Sequence, residues 1–262
     1  MNYKCIDFSI THNIARITLN RPESGNTLNV ELAKELYKAT SITAANRNVK
    51  VLILTAKGKL FCGGGDLKFL LSKEEKVKET LLEMTHYFHG AISRMARMDA
   101  PVIIGINGTA GGGGFSLAIT GDIIYSIKSA KFTLAYTNAG LSPDGSSTFF
   151  LPRIVGIKRA KELMLTNRVF SADEAMEMNL IDKVLIDQNK LTEAIEKQAE
   201  IFSSGPRKAY AGVKKLLNIS FDNGLETQMD IEGLKISENA ESLDGIEGLK
   251  AFNEKRKPNF NE

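Results

Sequence analysis

The chain of 262 residues is short of cysteine, of one-sided charge and of long apolar runs, and each shortage closes off a class of function. Two cysteines, Cys5 and Cys62, are too few for a disulfide framework or a cysteine zinc site, and they fit a reducing, cytoplasmic setting. Lys and Arg number 34 against 31 Asp and Glu, a net charge of +3, with the basic side chains scattered except at Lys255-Arg256-Lys257. That balance speaks against a nucleic-acid or membrane-surface binder. No stretch approaches the roughly 18 apolar residues of a membrane span. The opening MNYKCIDFSI, with Lys4 and Asp7, lacks the apolar stretch of a signal peptide. Internal repeats and low-complexity tracts are absent as well.

What is present is ordinary globular material, 43% hydrophobic and 25% charged, in a length that allows one large domain or a domain with an appendage. Residues 3–10 and 15–19 read as two extended runs joined around Thr11-His12-Asn13, a hairpin pattern. A helical run over 30–39 precedes the continuous apolar run Val51-Leu52-Ile53-Leu54, which suits a buried strand. The same unit recurs as a helical stretch over 74–98 leading through Asp99-Ala100-Pro101 into a strand at 102–106. Apolar runs at 123–127, 132–135 and 184–186 and helical segments at 157–165 and 172–178 continue it. Helices alternating with buried strands predict βαβ units and a mostly parallel sheet. Beyond about residue 191 the strand signals stop and a polar, glycine-punctuated helical tail follows.

Glycine is concentrated after two of these strands, in Phe61-Cys62-Gly63-Gly64-Gly65-Asp66-Leu67 and in Asn107-Gly108-Thr109-Ala110-Gly111-Gly112-Gly113-Gly114. Loops without Cβ atoms bring backbone N–H groups close to a ligand. Neither is a nucleotide motif: G-x-x-x-x-G-K-[ST] is missing, and Ser116 stands where G-x-G-x-x-G would need its last glycine. One such loop is as readily a tight strand-to-helix turn. Two suggest a shared purpose, and an economical one is an oxyanion hole taking one N–H from each.

At this point the residues resemble a known family, the crotonase or enoyl-CoA hydratase/isomerase superfamily. The matching pieces run in order through almost the whole chain: Asn20-Arg21-Pro22 with Asn26 and Leu28, the loop from Phe61 to Leu67, Pro101 through Asn107-Gly108 to Gly114, Gly121-Asp122, Leu151-Pro152-Arg153 with Gly156, and residues 252–260. The resemblance implies an α/β fold, with a crotonase-like ββα spiral core over 1–195 and a C-terminal helical trimerisation region over 196–262. It implies homotrimers or hexamers of paired trimers, an acyl-CoA thioester substrate, and no cofactor beyond its coenzyme A moiety. Carried over residue by residue, it makes the N–H groups of Gly63 and Gly113 the donors to the thioester oxygen. It puts Phe61, Asp66, Leu67, Gly112, Tyr136 and Leu141 at the acyl group, with His89, and puts Glu23, Ser24, Cys62, Phe252 and Lys255 at the coenzyme A. Taken by themselves, Asp66 reads as a helix cap and Lys255 equally as a solvated tail lysine.

The acid and base groups decide the reaction. Crotonase-type hydratases place one glutamate just after the second glycine loop and another further along; the matching positions here hold Ser116 and Tyr136, neither of which replaces a carboxylate as base. Ser116 reads as an ordinary first-turn residue and Tyr136 as a pocket aromatic. One carboxylate remains nearby, Asp144 in Ser142-Pro143-Asp144-Gly145. By composition that segment is a turn before a helix N-cap. In the family's frame Asp144 is similar to the catalytic base of the phenylacetate-pathway isomerases and to the nucleophile of 4-chlorobenzoyl-CoA dehalogenase, with Phe149, Phe150 and Tyr136 expected to enclose it. A single carboxylate suits isomerisation, since it can take a proton from one carbon and return it to another. The dehalogenase likeness extends to Arg153-Ile154-Val155-Gly156, to residues 162–168 and to His86-Tyr87-Phe88-His89, where His89 matches a histidine near the aryl ring and Tyr136 falls where that enzyme has tryptophan. A non-catalytic acyl-CoA binding subunit is the third reading. His86 and His89 lie one helical turn apart without a third metal ligand at recognisable spacing, so no metal site is expected. The acyl group is set by pocket shape, expected from residues between Leu67 and His89 and between Tyr136 and Phe150.

Overall fold

The computed structural model describes residues 3–260. Among these residues ten strands form two sheets. The larger joins β1 (Ile6–Thr11), β2 (Ile14–Leu19), β3 (Val51–Ala56), β5 (Val102–Ile106), β7 (Ile123–Ile127) and β10 (Lys183–Leu185) in that order. The smaller joins β4 (Leu60–Cys62), β6 (Thr109–Gly111), β8 (Lys131–Thr133) and β9 (Phe170–Ser171). β1 and β2 pair antiparallel, as do β8 and β9, and all other pairs are parallel. The chain thus leaves the large sheet after β3, β5 and β7, lays a short strand in the small sheet each time, and returns through helix: a ββα spiral of the crotonase type. His12 and Asn13 both take positive φ, 49° and 64°, the backbone that a two-residue hairpin requires.

Among the described residues ten α-helices complete the fold: α1 (Val30–Ala45), α2 (Leu67–Leu71), α3 (Val77–Arg97), α4 (Gly113–Ala118), α5 (Ser147–Thr166), α6 (Ala172–Glu177), α7 (Gln188–Ser203), α8 (Arg207–Ile219), α9 (Leu225–Glu241) and α10 (Leu243–Asn253). α1 starts where the Asn29 side chain accepts from the Leu32 N–H at 2.8 Å, and it carries the buried Glu35 back to the chain's entry. The Glu35 carboxylate accepts the N–H groups of Lys4, Cys5 and Ile6 at 2.7, 2.8 and 3.2 Å, tying the edge of the large sheet to the helix layer. α5 is two helices in one, broken at Gly156 (φ 77°, ψ 155°), and only its second half follows the predicted 157–165. The expected division at residue 195 falls inside α7, which runs on without a break and buries Leu191, Ile195 and Ala199 over β3, β5 and β7.

α8 closes the end of α3. Lys214 is buried, and its three N–H bonds reach the carbonyls of Met95 and Ala100, both at 3.0 Å, and Asp122 Oδ2 at 2.6 Å. Asn218 donates to the Ala96 carbonyl at 2.8 Å. The Met95 and Ala96 carbonyls are ones that the end of α3 leaves unpaired. Lys214→Met keeps the stem and removes all three donors, and it is expected to lower stability by about 2 kcal/mol, because Asp122 retains a solvent-facing side. Urea midpoints of the two proteins check this, and equal midpoints would show that the ammonium contributes nothing net.

Candidate active site

The two glycine loops meet backbone to backbone. A Cβ on Gly114 would lie 2.2 Å from the Cys62 carbonyl oxygen, and one on Gly64, where φ is +97°, 2.9 Å from that of Gly111, so side chains are excluded from the seam. Hydrogen bonding then sorts the loop N–H groups. Gly63 donates to the Gly25 carbonyl at 2.9 Å and Gly112 to the Thr133 carbonyl at 3.1 Å, while the Gly64 N–H lies beside the Cys62 sulfur. The N–H groups of Gly65 and of Gly113, the first residue of α4, find no acceptor among the described residues. The expected donor Gly63 is therefore committed inside the protein, and Gly65, two residues on, supplies the first loop's unsatisfied N–H.

Gly63, Gly65, Gly112 and Gly113 border a cavity of about 370 Å³. Its walls are apolar: Leu28 between the loops, Leu67 and Leu70 from α2, Leu81, Met84 and Phe88 from one face of α3, and Leu141. Asp144 and Tyr136 stand at one side, and Lys78 and Thr85 are the other polar side chains of helix α3 that border it. The α3 residues recur at spacings of three and four, a pattern that a helical-face count of the sequence would have detected.

Asp144 sits in the turn before α5, held from several directions. Its Oδ1 accepts the Tyr136 hydroxyl at 2.7 Å, and its backbone carbonyl accepts the hydroxyls of Ser116 and Ser147, both at 2.9 Å. Ser116, fully buried, also lies 2.8 Å from the Tyr136 hydroxyl, so it is no ordinary first-turn residue. Burial, then the Asp144 charge, push the Tyr136 phenol far above its usual pKa, which keeps it a hydrogen-bond donor. Gly145 follows at φ +59°, where a Cβ would strike the Phe88 ring at 2.7 Å and the Ser116 Cβ at 2.8 Å.

His89 Nε2 is 3.4 Å from Asp144 Oδ2 and 3.2 Å from the Gly145 nitrogen. Because an N–H only donates, the Gly145 contact requires a lone pair on Nε2 and so the tautomer protonated on Nδ1. In that tautomer His89 cannot also donate to Asp144.

Several expected site residues lie outside the lining of this cavity. Phe61 is fully buried in the core because its strand faces inward, and the Cys62 side chain is likewise sealed. Asp66 caps α2, accepting from the Phe69 N–H at 3.0 Å, and pairs with Arg21 at 3.2 Å rather than lining the cavity. Glu23 and Ser24 form the short 3-10 turn Pro22–Ser24, off the cavity wall. Phe252, 88% exposed at the end of α10, and the exposed Lys255 are not brought to the cavity of their own chain. Phe149 and Phe150 turn away from Asp144 into a second groove, where the Arg153 guanidinium lies 3.5 Å from the Phe149 ring centre. Among the described residues no group of three His, Cys, Asp or Glu side chains could hold a metal, and His86 packs edge-on against Tyr87.

Burial pushes the Cys62 thiol up to about 12 and the Cys5 thiol up to about 11. Neither forms appreciable thiolate at pH 8, so the folded protein is expected to resist iodoacetamide and to be labelled at both thiols in guanidinium. Rapid native labelling, read by mass spectrometry, would contradict the burial.

A family profile described as enoyl-CoA hydratase/isomerase matches residues 9–262. The chain is 32% identical over 259 residues to the 1,2-epoxyphenylacetyl-CoA isomerase of Escherichia coli (strain K12), across 97% of this chain and 98% of that protein. It is 33% identical over 175 residues to 4-chlorobenzoyl coenzyme A dehalogenase-2 of Arthrobacter sp., across 66% of this chain and 63% of that one. The crystal structure of an enoyl-CoA hydratase from Polaromonas sp. JS666 matches with a TM-score of 0.92 at 29% identity, across 98% of this chain and 99% of that one. With a ββα spiral, an apolar cavity at the seam of two glycine loops and this span of similarity, the chain belongs to the enoyl-CoA hydratase/isomerase family of the crotonase superfamily, as an acyl-CoA enzyme.

Proposed function

We propose that the protein moves the double bond of an enoyl-CoA thioester, with Asp144 carrying the proton. The observation that carries this reading is the presence of one carboxylate, Asp144, in a cavity that also presents the unsatisfied N–H groups of Gly65 and Gly113. The Asp144 carboxylate takes a proton from C2 of a 3-enoyl thioester, and the C–H electrons flow through the carbonyl to leave a dienolate oxygen. The two N–H groups hold that oxygen, and fixed donors of this kind lower a barrier by roughly 3 kcal/mol each. The Asp144 carboxylic acid then returns the proton to C4, giving the conjugated 2-enoyl thioester and restoring the carboxylate. Every step uses groups of this chain and calls for no cofactor beyond the coenzyme A moiety. The aliphatic wall of Leu67, Leu81, Met84 and Leu141 suits an alkyl chain.

The test is the rise in ultraviolet absorbance as a 3-enoyl-CoA becomes conjugated. Binding without turnover would defeat the reading. Dehalogenase-type hydrolysis, with Asp144 attacking an aryl ring, is favoured by the 3.4 Å approach of His89, but the Gly145 N–H already occupies the nitrogen lone pair that would activate water. Halide release from a 4-halobenzoyl-CoA would reverse that ranking. We further infer a homotrimer, or a hexamer of paired trimers. Val213, Leu217, Phe221, Leu249 and Phe252 leave apolar surface exposed on the C-terminal helices, and Phe252 and Lys255 would then serve the coenzyme A site of a second copy.

A further inference from the structure

We propose that Ser116 and Tyr136 form a hydrogen-bonded strut that aims the Asp144 carboxylate, making both of them positioning residues for proton transfer. The proposal rests on the reading of Asp144 as proton carrier.

The proton count supports it. Tyr136 has one hydroxyl proton, and an ionised carboxylate only accepts, so the 2.7 Å contact commits that proton to Asp144 Oδ1. Ser116 also has one proton, and its two near acceptors are the Tyr136 oxygen at 2.8 Å and the Asp144 carbonyl at 2.9 Å, the Gly112 carbonyl lying farther off at 3.4 Å. Both acceptors belong to the same unit, so either choice fixes Asp144 relative to α4. The torsion that turns a carboxyl group is soft, and without a donor on one oxygen the group would swing. With Oδ1 held, Oδ2 is the oxygen left to exchange a proton with substrate. The other flank of the turn is fixed by the Gly145 contact to His89 at 3.2 Å and by the crowding of Gly145 against Phe88 and Ser116. Two residues standing where hydratases are expected to carry glutamates thus serve the one carboxylate that remains.

The test compares Tyr136→Phe, Ser116→Ala and the double variant with the wild-type full-length chain on a 3-enoyl-CoA, in H2O and in D2O. Losing a hydrogen bond to a charged group corresponds to about 10- to 100-fold, so Tyr136→Phe is expected to lower kcat by that factor while KM stays within about twofold, because the ring still lines the cavity. A freed carboxyl group exchanges its proton with solvent before returning it, so the variant's product carries more deuterium at C4, a change that a merely structural role would not produce. The double variant is expected to be no slower than Tyr136→Phe by more than about twofold, since residues acting as one unit are not additive. Ser116→Ala by itself should be the mildest of the three. A higher KM with unchanged kcat, unchanged deuterium content, or fully additive losses would each overturn the strut. If Asp144→Asn abolishes turnover while Tyr136→Phe leaves it untouched, the strut falls and the proton carrier stands. If the wild-type chain shows no turnover, both fall together.

Discussion

Asp144→Asn is expected to leave thioester affinity within about twofold and to slow isomerisation by roughly 10²- to 10⁴-fold, the range in which a positioned acid–base group operates. The amide has nearly the shape of the carboxyl group and still offers an oxygen to the Tyr136 hydroxyl, now 2.7 Å from Oδ1, so the turn before α5 keeps its anchor. What it loses is basicity. Among the described residues no other carboxylate borders the cavity, and the nitrogen of His89 that faces Asp144 already accepts from Gly145. The conjugation assay gives kcat, and equilibrium binding of a saturated acyl-CoA gives the affinity. Turnover within tenfold of wild type would show that another group takes the proton, with His89 at 3.4 Å the first to be examined.

Gly114→Ala is expected to cost roughly 3 kcal/mol or more, beyond the ordinary range for an added methyl group in a packed interior, because the obstacle is backbone. The new carbon would lie 2.2 Å from the Cys62 carbonyl oxygen and 2.8 Å from its carbonyl carbon, and neither can rotate aside. Relieving the contact means separating the loops, and with them the N–H groups of Gly65 and Gly113 that border the cavity. Stability and turnover should therefore fall together. Gly224→Ala serves as the control, since nothing lies within 4 Å of the position its methyl group would take. Denaturant midpoints decide the matter, and a loss below about 1 kcal/mol would mean that the seam yields more easily than its packing implies.

The large sheet was legible because its central strands are continuous apolar runs: residues 102–106 and 123–127 are β5 and β7 to the residue. Of the small sheet only β8 showed, through the apolar run 132–135 that overlaps it; β4 and β6 are three residues each, too short for a period, and β6 is Thr-Ala-Gly. Asp144 and Gly113 could be located from motif positions, but the choice between Gly63 and Gly65 depends on the Gly25 carbonyl, a partner distant in sequence. Phe149 and Phe150 were misjudged because proximity in the chain to Asp144 does not determine which face of α5 a ring occupies. Ser116 looked unremarkable for a related reason: its role lies in two contacts, 20 and 28 residues away in the chain, neither of which has a local signature.

The Lys214 and Asn218 contacts bear on how separable the last third of the chain is. Two of the carbonyls they satisfy, those of Met95 and Ala96, end the same helix whose opposite half carries Leu81, Met84 and Phe88, so the donors sit on one structural unit and the acceptors on another. A chimera that takes its C-terminal helices from a relative lacking this lysine and asparagine would leave the end of α3 unsatisfied, and the helix would fray toward the acyl pocket. The C-terminal helices are therefore not a freely exchangeable module, and any swap must treat α3 and α8 as inherited together.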